Sequence, residues 1–506
     1  MNYSIMEISN RTQRWGGALG LLAMVAVLSI GVYLTAIQGD QFAALAAMLL
    51  VVAAFPWYLS LRAGRFELFE PIVFYSIFFG MLVFGWIERV YVDEPEFYYD
   101  FISRTFTEGF LLVGSVMLIL FISIMLGYYL FGPIVARRFS HIGRKTRSIL
   151  ETASQPSGNV FRTIGGLYML IGLGSIIATV VLVFPVNEIL YLYTTNEPRS
   201  QIFPENGVFI LFSRTLYIGY LLWLCGAVVD GRTPSLIEFA LAIPFTGAIL
   251  LLGGRSRALS IIIIAVIFLY YTVIEDVFSL DRGGFAKLTD YVPPGILLLC
   301  IPIIGLVMSI GVIILRGMRL GQSLVESFTS VDLFSILTAG RHADTYDNFL
   351  GLMEFVPEQV DYYYGSFYAR VPLNFIPRSI WPEKPVLTSG GFFRRLAFPD
   401  QTGGRPPGAM GEYYLNFGLP GIPLMGTLYG VLMYLTWRLI KNDRVSVISL
   451  VVFTLLLDTI GQGGLNNNTL FVLASNVILL IPVLLLLSGW QYFSSPIFQY
   501  RRHNDS

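Results

Sequence analysis

Four clusters in this chain combine residue types that handle phosphate and hydroxyl groups. Gly253-Gly254-Arg255-Ser256-Arg257 pairs glycines, which let a backbone approach a ligand closely, with guanidinium forks that match phosphate oxygens. Arg341-His342-Ala343-Asp344 places an anion-binding group beside two candidate bases, His342 and Asp344. Arg341 and Asp344 are three residues apart, so on a helix they share a face and can instead pair with each other. In FIPRSIWPEKP, Pro377, Pro382 and Pro385 stiffen the backbone and hold Arg378, Trp381 and Lys384 in fixed relation. Trp381 there suits a sugar face or the membrane interface. In GGRPPGAMGEYYLNFGLPG, Arg405 precedes Glu412, a carboxylate in partly apolar surroundings, where a raised pKa would make it a base or where it would pair with a nearby arginine. Between these lie Tyr362, Tyr363, Tyr364, Phe367 and Tyr368, apolar enough for the interface, with Tyr364 and Tyr368 as candidate stacking platforms for sugars.

The elements that must position these groups are membrane helices. Of 506 residues, 55% are hydrophobic and 13% are charged, with a mean hydropathy of +0.68, against about 25% charged in soluble domains. Apolar runs of roughly the 17–25 residues that cross a bilayer fall near 16–36, 42–61, 71–88, 110–131, 163–185, 207–229, 235–252, 258–275, 294–315, 419–438, 445–461 and 471–489. The expectation is an all-α polytopic membrane protein with about twelve transmembrane helices. Helices 1–9 lie in 1–315, a large extracytoplasmic loop spans 316–418, and helices 10–12 with a tail fill 419–506. Helical spacing predicts a surface helix over 331–352 within that loop.

Charge sets the orientation. Arg62, Arg65, Arg137, Arg138, Arg144, Lys145, Arg147, Arg232, Lys441 and Arg444 fall on one side, with Arg11, Arg14, Arg501 and Arg502 at the termini. That side reads as cytoplasmic. Both termini are then inside, and the arginine clusters of 253–257 and 316–418 are outside. Outward arginine beside a span works against the insertion bias, which points to a use for it. Cys225 and Cys300 both lie in apolar spans and read as packing residues. No signal peptide with a cleavage site stands at the N-terminus.

There is no HxxxH or CxxC pair, no DxD-type cluster outside, no Walker loop and no GxGxxG after a strand. The sequence therefore points to chemistry without a metal, a cofactor or a nucleotide substrate, and nothing in it suggests nucleic acid.

The GGRSR turn, RHADTYDNF with the tyrosine-rich stretch behind it, IPRSIWPEKP, and GEYYLNFGLPG entering the next span resemble the bacterial O-antigen polymerase family, the oligosaccharide repeat-unit polymerases of Wzy type. The resemblance covers mainly 250–430; elsewhere it is one of layout. It implies a glycosyltransferase-C-like membrane fold in the bacterial inner membrane, with the active site on the extracytoplasmic side. It implies transfer of a glycan from undecaprenyl pyrophosphate to a newly flipped lipid-linked repeat unit, with inversion at the anomeric carbon. In that scheme Arg255, Arg257, Arg341, Arg378, Lys384 and Arg405 hold pyrophosphate, and Asp344, His342 or Glu412 is the base. Tyr364, Tyr368 and Trp381 seat sugars, and a flippase and a chain-length regulator act alongside. An O-antigen ligase shares the layout and the donor. A lipid-linked oligosaccharide transporter would instead need cations along a path at mid-membrane.

Overall fold

The computed structural model describes residues 40–63, 67–91, 99–183, 211–250, 255–281, 343–376, 380–381, 383–401, 404–441, 445–461 and 463–494. Every regular element among them is helical: α1 Gln41–Arg62, α2 Pro71–Tyr91, α3 Phe106–Arg138, α4 Ser140–Ala153, α5 Gly158–Val183, α6 Thr215–Val229, α7 Leu236–Ile249, α8 Arg255–Leu269, α9 Ala343–Phe355, α10 Ser389–Ala397, α11 Gly408–Phe417, α12 Gly421–Trp437, α13 Val447–Ile460 and α14 Asn467–Ser494. Six described helices are long and apolar enough to cross a membrane, and a seventh if α11 and α12 count as one broken span. Three shorter apolar helices, Leu236–Ile249, Ala258–Ile274 and Val447–Ile460, fall on the expected spans 235–252, 258–275 and 445–461. The expected spans 16–36 and 294–315 lie outside the described residues.

Small residues bring the long helices together. Gly158, Gly165 and Gly172 recur every seven residues on α5 and face Gly219, Gly226 and Leu216 on α6. A methyl group added at Gly165 would stand 2.8 Å from the carbonyl oxygen of Gly219, and one at Gly172 would stand 2.7 Å from the amide nitrogen of Leu216. Only glycine permits this backbone approach, which replaces the hydrophobic drive that lipid cannot supply. The α3–α12 seam uses Gly127 against Thr427, and Gly430 against Ile124 and Tyr128. Cys225 is buried within α6 as a packing residue.

The two ends of the bundle differ. At the basic end, Arg162 of α5 pairs with Asp230 at 2.6 Å, Arg232 pairs with Glu238 at 2.8 Å, and Lys441 pairs with Glu67. The chain leaving α8 returns to this end, where the amide of Thr233 donates to the carbonyl of Asp281 at 3.2 Å. The opposite end carries α9, α10 and α11. Of the surface helix expected over 331–352, residues 331–342 lie outside the described residues; the described part belongs to α9 and is not at the surface, since Tyr346, Phe349, Leu350 and Leu352 are buried. It is tied to the bundle by Arg89–Asp347 at 3.3 Å, by Arg104–Glu354 at 2.7 Å, and by the Tyr346 hydroxyl donating to the Leu82 carbonyl.

Candidate functional site

Residues between Thr388 and Glu412, with the start of α14, line an open pocket of about 400 Å³. Its walls are three helix beginnings. Thr388, Ser389, Gly390 and Gly391 open α10, Pro406 and Gly408 lead into α11, and Asn466, Asn467 and Asn468 open α14. Each beginning has a local cause. The Thr388 hydroxyl accepts from the Gly391 amide at 3.2 Å, an N-cap for α10. The Asn466 side chain accepts from the Thr469 amide at 2.8 Å, the same device for α14. Gly408 sits at φ +68, a left-handed turn, with the Thr345 methyl close behind it. The wall is then closed by the Arg405 amide donating to the Gly390 carbonyl at 3.0 Å.

Glu412 is the charged residue of this lining. It lies one turn into α11 and is 4% exposed. One carboxylate oxygen accepts from the Ser389 hydroxyl at 2.6 Å, and the other accepts from the Asn467 amide at 2.7 Å. Loss of water at this depth outweighs both donors and pushes its pKa up from 4.5 to about 6. The two bonds fix the carboxylate plane and use two of its roughly four lone-pair sites. The rest of the lining consists of amides, hydroxyls, Pro406 and glycine backbone, with no cationic side chain among the described residues.

A sharp bend separates α11, which carries Glu412, from α12. The two helices meet at 118°, across Gly418 at φ +67 and Pro420. The amides of Tyr363 and Tyr364 donate to the carbonyls of Leu415 and Asn416 at 3.0 and 2.8 Å, which covers the end of α11. The Tyr413 hydroxyl accepts from the Leu465 amide at 2.8 Å and pins the start of α14 against α11.

The other expected site residues distribute around this cavity. Arg405 contributes its backbone to the wall, while its guanidinium turns outward. It donates to the Gln401 amide oxygen at 2.9 and 3.1 Å and to the Tyr99 hydroxyl at 2.8 Å, and it lies 4.3 Å from the Phe398 ring centre. Lys384 donates to the carbonyls of Ile376 at 2.9 Å and Asn374 at 3.4 Å, which fastens the proline-rich segment. Tyr364 is 76% exposed and Trp381 is 36% exposed, so both offer a face. The Tyr368 hydroxyl is buried beside Asn416. Arg255 and Arg257 occupy the first turn of α8 at the end away from Asp281. Asp344 is in the first turn of α9. His342, Arg341 and Arg378 lie outside the described residues.

Sequence reasoning missed Ser389, Asn467 and the inner polar pair of α9. Asp347 is 5% exposed and Asn348 is 1% exposed. The Asn348 side chain accepts from the Tyr99 hydroxyl at 2.9 Å and donates to the Pro406 carbonyl at 3.2 Å, so it ties α9 to the cavity wall. A signal was present for α14: three consecutive asparagines before an apolar run form an N-cap signature.

Comparison of the chain with known protein families, curated proteins and solved structures finds no match.

Proposed function

We propose that this protein is a membrane glycosyltransferase that polymerises oligosaccharide repeat units carried on undecaprenyl pyrophosphate, and that the cavity around Glu412 receives the acceptor sugar. The observation that carries this reading is the lining itself. A buried, oriented carboxyl with a pKa of about 6 stands among asparagine, serine and threonine groups, with no cationic side chain in the lining among the described residues. That lining suits a neutral ligand rich in hydroxyls better than a dianion. At neutral pH the group is mostly ionised and still basic enough to take a hydroxyl proton as attack begins.

In this mechanism Glu412 accepts the proton of the acceptor hydroxyl. The acceptor oxygen forms a bond to the anomeric carbon of the donor glycan, and the bond from that carbon to the pyrophosphate oxygen breaks. The pyrophosphate leaves with the electron pair, and the anomeric centre inverts. Arginines hold the leaving group: Arg255 and Arg257 on α8, with Arg341 and Arg378 from the loop. Tyr364 and Trp381 present faces for neighbouring sugars. A twelve-span glycosyltransferase-C-like fold, an inner-membrane location with an outward site, and partners that flip units and set chain length belong to the same proposal.

The test is glycan length on a gel, in a deletion strain complemented with wild type, Glu412→Gln, Arg378→Ala or Arg378→Lys at matched membrane levels. Polymerisation requires a ladder with wild type and a single-unit band with each variant. Bare core in the deletion strain would assign ligation instead, and an intact ladder in that strain would refute the role.

A further inference from the structure

The opposite end of the molecule carries a feature that the cavity chemistry does not use. Arg137, Arg138, Arg144, Lys145 and Arg147 fall within eleven residues, and the first carboxylate after them is Glu151. Among the described residues none of these five cations forms an ion pair, whereas Arg162, Arg232 and Lys441 at the same end are each matched to a carboxylate. The first two close α3 and the other three sit on α4.

The helix is amphipathic, and only part of its apolar face is used by the protein. Leu150 and Ala153 are buried, and the Ser154 hydroxyl beyond them accepts from the Ile448 amide at 3.1 Å, which docks the end of α4 on the start of α13. Phe139, Ile142 and Ile149 are 52%, 51% and 55% exposed. They continue an exposed strip on α3 formed by Leu130, Phe131 and Ile134. On a 3.6-residue wheel Ile142 and Ile149 share a face, Lys145 stands about 50° from it, and Arg144 and Arg147 stand about 150° from it on the opposite side. Such a helix lies in the interface, its aliphatic groups among acyl chains and its cations at headgroup level.

We infer that α4, with Arg137 and Arg138, is a docking site for acidic phospholipid headgroups on the basic side of the membrane. Charge complementarity selects the occupant: five cations that form no ion pair among the described residues, beside exposed isoleucines, fit a phosphodiester surface carrying net negative charge. Each basic group near such a surface strengthens binding by about fivefold. Removing three therefore weakens it by about a hundredfold.

The full chain in neutral detergent would be titrated with phosphatidylglycerol or with phosphatidylcholine, and bound lipid counted by native mass spectrometry. The site requires that phosphatidylglycerol bind at least tenfold more tightly than phosphatidylcholine, and that this preference shrink as salt is raised. Arg144→Gln, Lys145→Gln and Arg147→Gln together should abolish the preference, while Arg62→Gln, at the same end but outside the cluster, should keep it. Equal binding of the two lipids by the unaltered protein overturns the inference and leaves an acidic protein surface as the occupant. A preference that survives the triple variant, or one that Arg62→Gln also removes, overturns it as well. The salt series on the unaltered protein decides the matter even if the triple variant does not fold.

Discussion

Replacing Glu412 with glutamine should stabilise the folded protein at neutral pH and stop its activity. The sign follows from burial. In the unfolded chain the carboxyl titrates at its ordinary 4.5, and in the folded chain at about 6. Between those values the folded state binds more protons, so stability falls as pH rises. The loss begins near pH 4.5, is complete above about pH 6, and amounts to about 2 kcal/mol, because each pKa unit is worth about 1.4 kcal/mol. Glutamine carries no such penalty. Its carbonyl can accept from the Asn467 amide, and its amide can donate to the Ser389 oxygen once that hydroxyl turns round. Its shape is that of glutamate, so no cavity forms.

The assay is thermal or denaturant unfolding of wild type and Glu412→Gln in detergent at pH 4.5 and pH 7.5. The gap between the two proteins should widen in favour of the variant by somewhat under 2 kcal/mol across that range. The glycan ladder of the variant should at the same time collapse to a single unit. A variant less stable than wild type by the same amount at both pH values would refute the reasoning. It would make Glu412 a fixed cap for α14, with the carboxylate needed for structure and not for proton transfer.

Arg89→Ala should cost about 3–5 kcal/mol, because it leaves the Asp347 carboxylate buried without its guanidinium; a double-mutant cycle with Asp347→Asn should show strong coupling in unfolding measurements. Gly165→Leu should block the approach of α5 to α6 and lower the membrane level of folded protein, whereas Gly166→Leu, whose nearest added contact is an ordinary 3.7 Å, should be tolerated; fluorescence size-exclusion of tagged protein reads both. Arg405→Lys keeps the charge but loses the two-pronged bond to Gln401 and the stacking on Phe398. It should shorten glycan chains while moving the unfolding midpoint by the equivalent of about 1 kcal/mol.

The membrane-spanning character was legible because it is a property of composition. Apolar runs at 42–61, 71–88, 110–131 and 163–185 coincide with α1, α2, α3 and α5. Glu412 was legible as a candidate because a lone acidic residue stood at the mouth of a span. Its partners were not, since Ser389 is 23 residues away and Asn467 is 55. The burial of α9 was hidden for a related reason. Asp347 and Asn348 break its apolar face, so the pattern reads as half solvated, yet Arg89 and Tyr99 supply partners from more than two hundred residues earlier. Local periodicity cannot register a polar group that is satisfied at long range. The partners of Arg405 and Lys384 were hidden as well: their charge suggests phosphate, and the fold also ties them to Gln401, Tyr99 and two backbone carbonyls.

Three helix beginnings around one carboxylate pose an electrostatic question that bears on the chemistry. Helix N-termini favour anions and on their own would lower the pKa of Glu412. Burial opposes them, and the outcome at about 6 shows that desolvation wins without leaving the group neutral. At pH 7 about nine-tenths of the molecules then carry the carboxylate, so in the proposed mechanism the base needs no further group to deprotonate it. An acceptor hydroxyl entering the cavity would displace whatever water solvates the remaining lone pairs and would push the pKa further up, which strengthens the base as the substrate arrives. The Ser389 hydroxyl and the Asn467 amide meanwhile stabilise the negative charge and hold the pKa down against burial. A glutamine removes both halves of this balance while preserving the shape, and an aspartate keeps the charge but falls about 1.5 Å short of the Ser389–Asn467 clamp. Activity lost in Glu412→Gln and partly retained in Glu412→Asp would therefore separate a proton acceptor from a carboxylate that merely holds α10 and α14 together.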